Sequence, residues 1–326
     1  MLVRVGLDSD GVAELALRDS IETRASQRLL LLHLVQGALL IYAGTRDRDA
    51  LLKIVKTLPQ ELRKIWAACI GDIASATPAG FIARSLAEMS DPHDLLEWAG
   101  EISLALVGTR QAERLNLASN RARLLDGGSN IEVTRIAAVD SMRLRDALTT
   151  QRTDIAQAQG RDEIWMERFH VAASTPMPIT ILDRWAVETL AEALADGSHK
   201  GLGWFLEKIA TESSAPVHLI TCAKGKSDAG RVVADLSRLG QRLSGGGIQT
   251  LSVTLAASRH FVQQSHPRHA RFGRVAIGLE RGLSMFDDSH CPHSMPCNLV
   301  DRATAREREE RIEREAFPGF RRQVVW

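Results

Sequence analysis

Two α/β domains are predicted by the 326-residue sequence. Three observations lead there. Short apolar or alternating runs of strand length recur between stretches whose apolar positions fall three and four apart. Turns rich in Gly and Asp close most of those runs. With 44% hydrophobic and 25% charged residues, the chain is long enough for two domains of ~150 residues, each able to bury its own core. No apolar run reaches the ~18 residues that span a bilayer. The most apolar stretch, Leu29 to Ala43, is interrupted by His33 and Gln36. The N-terminus lacks a basic, then apolar, then small-residue signal, so a cytoplasmic protein without a membrane partner is expected.

In the first half, Leu2 to Leu7 alternates as a strand and ends at an Asp8-Ser-Asp10-Gly11 turn. Glu14 to Val35 has helical spacing, with Gly37 as its cap. Ala38 to Ala43 reads as a strand, Asp47 to Leu58 as a helix, and Pro59 starts another helix through Ile70. The rest of this half is expected to be mostly helical, with strands at Leu104 to Val107 and, after the Gly127-Gly128 turn, at Ile131 to Ile136. Thr149 to Gly160 is polar and reads as a helix end plus connection, giving a first domain over 1–173.

Ser174-Thr-Pro-Met-Pro178 opens the second domain, 174–326. Strands are expected at Ile179 to Leu182, Val217 to Thr221 and Thr250 to Leu255, the last after the Gly245-Gly-Gly247 turn. Helices are expected at Trp185 to Leu194, Trp204 to Thr211 and Arg231 to Leu243. Ala270 to Phe272 and Val275 to Leu279 read as a hairpin about Gly273-Arg274, and the whole as a three-layer α/β domain. Arg302 to Phe317 is a charged helix whose Arg and Glu residues form i,i+4 pairs on a solvated face, with Phe317, Phe320 and Trp326 free to dock.

Lys and Arg total 41 against 40 Asp and Glu, which excludes a uniformly basic nucleic-acid surface. Only seven of those cations are Lys, leaving 34 Arg, a bias that suits phosphate and that a GC-rich genome also produces. The even total hides a local excess: between Arg259 and Arg281 lie five Arg and three His against one carboxylate, Glu280.

His290, Cys291, His293 and Cys297 offer zinc-type ligands, but the spacing is poor, no CxxC pair is present, and a Pro-rich, His-rich surface loop explains them better. Cys69 and Cys222 read as buried thiols, and no metal or cofactor is assigned. Asp8 and Asp10 close the first strand, where converging carboxylates hold Mg²⁺ in some nucleases, with Asp140 and Asp183 as further contributors; an Asp-Gly turn accounts for the pair better. Gly225-Lys226-Ser227 is no phosphate loop, since Ile220 stands where the upstream Gly is required.

The strongest candidate site is Ser265 to Leu283, which sets His266, Arg268, His269 and Arg271 in or beside the expected hairpin. Histidine can attack phosphorus while guanidinium groups hold its charge. From Ile179 to about residue 286, the strand and helix alternation followed by His-x-Arg and a Gly-Leu hairpin resembles one half of the phospholipase D-like fold, in its degenerate, binding versions. The family motif is His-x-Lys, four residues, then Asp. Either His266-Pro-Arg268 or His269-Ala-Arg271 stands for His-x-Lys, with Arg replacing Lys, while the Asp position holds Gly273 or Ala276, and Glu280 is the substitute acid at hand. The family's site uses two motifs and this chain has one, so hydrolysis would require a homodimer.

What the resemblance implies is recognition of a phosphodiester or nucleic acid. Its catalytic extension is a metal-independent phosphodiesterase or nuclease in which His266 or His269 attacks, and Arg268 and Arg271 stabilise charge. The alternative, favoured by the missing Asp and the even charge, is a non-catalytic protein-interaction module of a larger assembly.

Overall fold

The computed structural model describes residues 1–78, 80–116, 121–126, 129–137, 141–243, 247–262 and 268–325, with backbone alone for 121–126 and 129. The Gly127-Gly128 turn, Asp140, Gly245, Gly246, His266 and Trp326 lie outside them. The chain is α/β throughout and divides into two compact units, Met1–Thr149 and Thr150–Trp326.

Unit 1 has strands β1 (Val3–Leu7), β2 (Ala38–Ile41), β3 (Ala74–Ala76), β4 (Leu104–Val107), β5 (Arg121–Asp126) and β6 (Ser129–Arg135) in the order β3-β2-β1-β4-β6-β5. All neighbours are parallel except the β5–β6 hairpin. The four residues of β2 and the four of β4 are all buried, as strands covered on both faces must be. Helices α1 (Ser9–Glu14), α2 (Ile21–Gly37), α3 (Thr45–Thr57), α4 (Gln60–Ile70) and α5 (Thr109–Arg114) follow, with α6 (Met142–Arg152) crossing into the next unit.

The expected turn at Asp8 to Gly11 is instead the start of α1, capped by the Asp8 side chain. The expected continuous helix from Glu14 is broken at Asp19, because Ser20 accepts a hydrogen bond from Thr23 N at 3.1 Å and starts α2 afresh. Residues 74–103 are not mostly helical. They hold β3 and two short 3₁₀ turns, Leu86–Glu88 and Pro92–Trp98.

Unit 2 contains β7 (Ile179–Leu182), β8 (Val217–Ala223), β9 (Leu251–Ala257), β10 (His269–Phe272), β11 (Val275–Gly278), β12 (Leu299–Val300) and β13 (Gln323–Val324), in the order β12-β11-β10-β7-β8-β9-β13. β7, β8 and β9 are parallel, and β10 to β13 run antiparallel to their neighbours. The helices are α7 (Arg161–Ile164), α8 (His170–Ala173), α9 (Leu190–Asp196), α10 (Gly201–Glu212), α11 (Lys226–Arg242), α12 (Ser258–Val262) and α13 (Arg302–Arg314). Only the second half of the helix expected from Trp185 forms, as α9. The β10–β11 turn needs its glycine: Gly273 has φ +56°, and a Cβ there would lie 2.7 Å from Met177.

Alternation along β10 assigns its two faces. Phe272 joins an aromatic cluster of Phe169, Phe205 and Phe286 with Trp165 and Trp204, in which Trp204 and Phe286 stack at 4.8 Å. His269 and Arg271 point the other way, under α13. There Ile312 packs with Leu182, Ile220, Cys222, Ala256 and Phe261. Helices on both faces make three layers.

Two expectations are corrected here. Residues 150–173, read as part of the first domain, belong to unit 2, because Trp165 and Phe169 are core members of its aromatic cluster and Ile155 bridges to Met295. The charged α13 is not merely a solvated face, since Ala305, Glu309 and Ile312, at i, i+4 and i+7, are buried against the sheet.

Candidate functional site

The sequence-predicted residues separate. His269 and Arg271, two apart on β10, share one face, and both meet Glu309 of α13. His269 Nε2 lies 2.9 Å from Glu309 Oε1, Arg271 Nε donates to the same oxygen at 2.8 Å, and Arg271 Nη2 donates to Oε2 at 2.6 Å. Arg271 also donates to Thr180 Oγ1 at 2.8 Å and to the Gly273 carbonyl at 2.9 Å. Burial pushes the Glu309 carboxyl up, but hydrogen bonds from His269 and Arg271 outweigh it and hold it below the usual carboxylate range. An ionised carboxylate only accepts, so the His269 Nε2–H is the donor. His269 has 0% of its surface exposed. The nucleophile role expected of it is inaccessible in this arrangement, and the ring instead helps hold Arg271 through Glu309.

Arg271 lines a cleft of about 580 Å³ at the end of the sheet where β7 and β8 begin. Arg274 enters from the β10–β11 turn, Arg302 and Arg306 from the first two turns of α13, Arg322 from the approach to β13, and His218 from β8. Among the described residues, no carboxylate lines this cleft. Glu309 answers Arg271, and Glu313 answers Arg322 at 3.2 Å. Among the described residues, Arg274 and Arg306 form no ion pair. His218 Nε2 is 2.9 Å from Thr254 Oγ1, and its Nδ1 is 3.4 Å from Glu313. Burial first, then the charges of Arg322 and Arg271 against that of Glu309, push the His218 ring down to about 4, so it stays neutral at pH 7.

Arg268 and Glu280 lie elsewhere, bordering a second cleft with Arg184, Trp185 and Arg308. Arg268 Nη1 donates to the Glu280 carbonyl at 2.9 Å, and the exposed Glu280 carboxylate forms no hydrogen bond or ion pair with His269, beside which the sequence predicts a substitute acid. His266 falls outside the described residues, so the alternative motif His266-Pro-Arg268 is represented by Arg268 alone.

The other candidates have structural work. Asp183 is pushed up by burial and accepts from Leu283 N at 2.7 Å and Trp185 N at 3.0 Å. Gly282 leaves it room: a Cβ there would sit 2.3 Å from the carboxylate. Asp8 accepts from Gly108 N at 2.9 Å and Asp10 N at 3.0 Å, and Glu14 accepts from Thr109 N at 2.7 Å and Arg110 N at 3.1 Å. These carboxylates tie α1 to the start of α5. The Cys291 thiol donates to the His293 carbonyl at 2.9 Å, and burial pushes the Cys297 thiol up to about 12. Among the described residues, no three His, Cys, Asp or Glu side chains gather as a metal site, and no helix is long and apolar enough to cross a membrane.

Sequence reasoning missed Glu309, Arg302, Arg306, Arg322 and His218. The signal for Glu309 was its place in the Ala305 and Ile312 stripe of an otherwise charged helix. No protein-family model matches the chain, and no curated protein matches it.

Proposed function

We propose that unit 2 is a degenerate phospholipase D-like half that recognises the phosphodiester backbone of a nucleic acid without hydrolysing it through His269. The observation carrying this is the arginine cleft: among the described residues, five guanidinium groups and a neutral histidine line it, no carboxylate does, and Arg274 and Arg306 have no ion-pair partner. Planar guanidinium forks match phosphate oxygens bidentately. Arg271 is held in place by Glu309 and Thr180, so it loses little freedom on meeting an anion. The three-layer mixed sheet and the His-x-Arg on its fourth strand, β10, support the family reading.

The test is a fluorescence-anisotropy titration of a labelled single-stranded oligonucleotide. The Arg274→Ala/Arg306→Ala variant is expected to bind about ten-fold or more weakly than the parent at ~50 mM salt, with its fold intact. Equal affinity would remove the cleft from the account.

A further inference from the structure

The second cleft of unit 2 differs in kind from the first. It holds about 650 Å³, within the range of small-molecule sites, and lies beyond the C-terminal end of β7, beside the ends of β11 and β12. One wall is planar: the Arg184 guanidinium lies over the Trp185 ring at 4.1 Å, and both side chains line the cavity. Asp183 fixes that wall by accepting the Trp185 amide.

Two further cations, Arg268 and Arg308, line the same cleft. Arg268 is 16% exposed and is anchored through Nη1 to the Glu280 carbonyl, with Nε 3.8 Å from Asp183 Oδ1; among the described residues its Nη2 makes no hydrogen bond. Arg308, on α13, makes no ion pair among the described residues. Glu280 and Asn298 add a carboxylate and an amide to the rim.

We infer that this cleft binds a nucleoside monophosphate unit, its base stacked on the Arg184–Trp185 wall and its phosphate held by Arg268 and Arg308. Stacking on aromatic or guanidinium planes accepts any base, which suits a wall with few edge-reading groups. Charge selects the phosphate. Arg184, Arg268 and Arg308 line the cleft against the Glu280 carboxylate, with Asp183 beside Arg268, a modest cationic excess that suits a single phosphate group rather than a polyphosphate. A base next to a phosphate monoester occurs in a free mononucleotide and at the 5′-phosphorylated end of a strand, and the site fits their shared chemistry. It stands independently of the arginine cleft.

Calorimetric titration of the full chain with AMP, adenosine and inorganic phosphate tests this. AMP is expected to bind at least ten-fold more tightly than adenosine or phosphate, because only AMP engages both the stacking pair and the arginines. Arg308→Gln should weaken AMP binding at least five-fold while leaving the weak adenosine binding unchanged, and Trp185→Leu should weaken AMP and adenosine alike. Arg274→Ala/Arg306→Ala should bind AMP as the parent does. Because Trp185 also packs on core residues, Arg308→Gln, on a helix surface, keeps the test decisive if Trp185→Leu fails to fold. Preference for a 5′-phosphorylated over a 5′-hydroxyl oligonucleotide, lost in Arg308→Gln, assigns the site to strand ends; AMP binding without that preference assigns it to free nucleotide. AMP binding no tighter than phosphate, or unchanged in Arg308→Gln, overturns the inference.

Discussion

The acidic edge of unit 1 and the arginine cleft of unit 2 are opposite uses of charge. In unit 1, Asp8, Asp10, Glu14, Arg110 and Arg114 border a cavity of about 380 Å³ where β1 and β4 end, the crevice in which open parallel sheets commonly hold ligands. Yet the oxygens of Asp8 and Glu14 already accept four backbone amides. In unit 2 the arginines outnumber the acids that answer them, and two have no ion-pair partner among the described residues. A charge cluster reads as a ligand site when charges are left over after the fold has taken its share.

Substitutions sharpen that contrast. The largest effect is expected at Glu309. Glu309→Ala leaves His269 and Arg271 facing each other in a buried site, and unit 2 should lose about 3–5 kcal/mol in chemical denaturation, with faster amide exchange along β10. Acid comes next. The folded His218 ring stays neutral down to about pH 4, whereas the unfolded ring protonates near its ordinary 6.5, so between those values the unfolded chain binds more protons. Stability should fall as pH drops through that window, by about 3 kcal/mol in all, and His218→Gln should flatten the slope there.

In unit 1, Asp8→Ala strands the Gly108 and Asp10 amides and should cost about 2 kcal/mol without affecting any oligonucleotide binding. A larger loss of binding than of stability would mean that the acidic edge does hold a ligand. The smallest stability effect belongs to Arg274→Ala/Arg306→Ala, expected within about 0.5 kcal/mol of the parent because neither residue supports the fold.

Much of the sheet was readable because its strands are local statements. The apolar runs of β2, β4, β7, β8 and β9 have no comfortable surface conformation, and Gly273 marks the β10–β11 turn. β5 and the two-residue strands β12 and β13 were not readable. β5 is a polar edge strand, and the other two exist only through pairing with distant partners such as Val253 opposite Gln323. The site divided the same way. Arg271 stood out beside His269, but Arg302, Arg306 and Arg322 reach its cleft only because α13 crosses the sheet and the chain returns along β9. Glu309 was hidden for a similar reason: in sequence it is one acid among many, and burial alone distinguishes it.

The most direct test of the arginine cleft is the salt dependence of oligonucleotide affinity, between 50 and 200 mM salt, for the parent and Arg274→Ala/Arg306→Ala. If both guanidinium groups meet phosphates, log affinity should fall linearly with log salt in the parent, with a slope shallower by roughly 1.4 units in the variant, about 0.7 per lost phosphate contact on a single strand. Identical slopes in the two proteins would contradict phosphate recognition at this cleft.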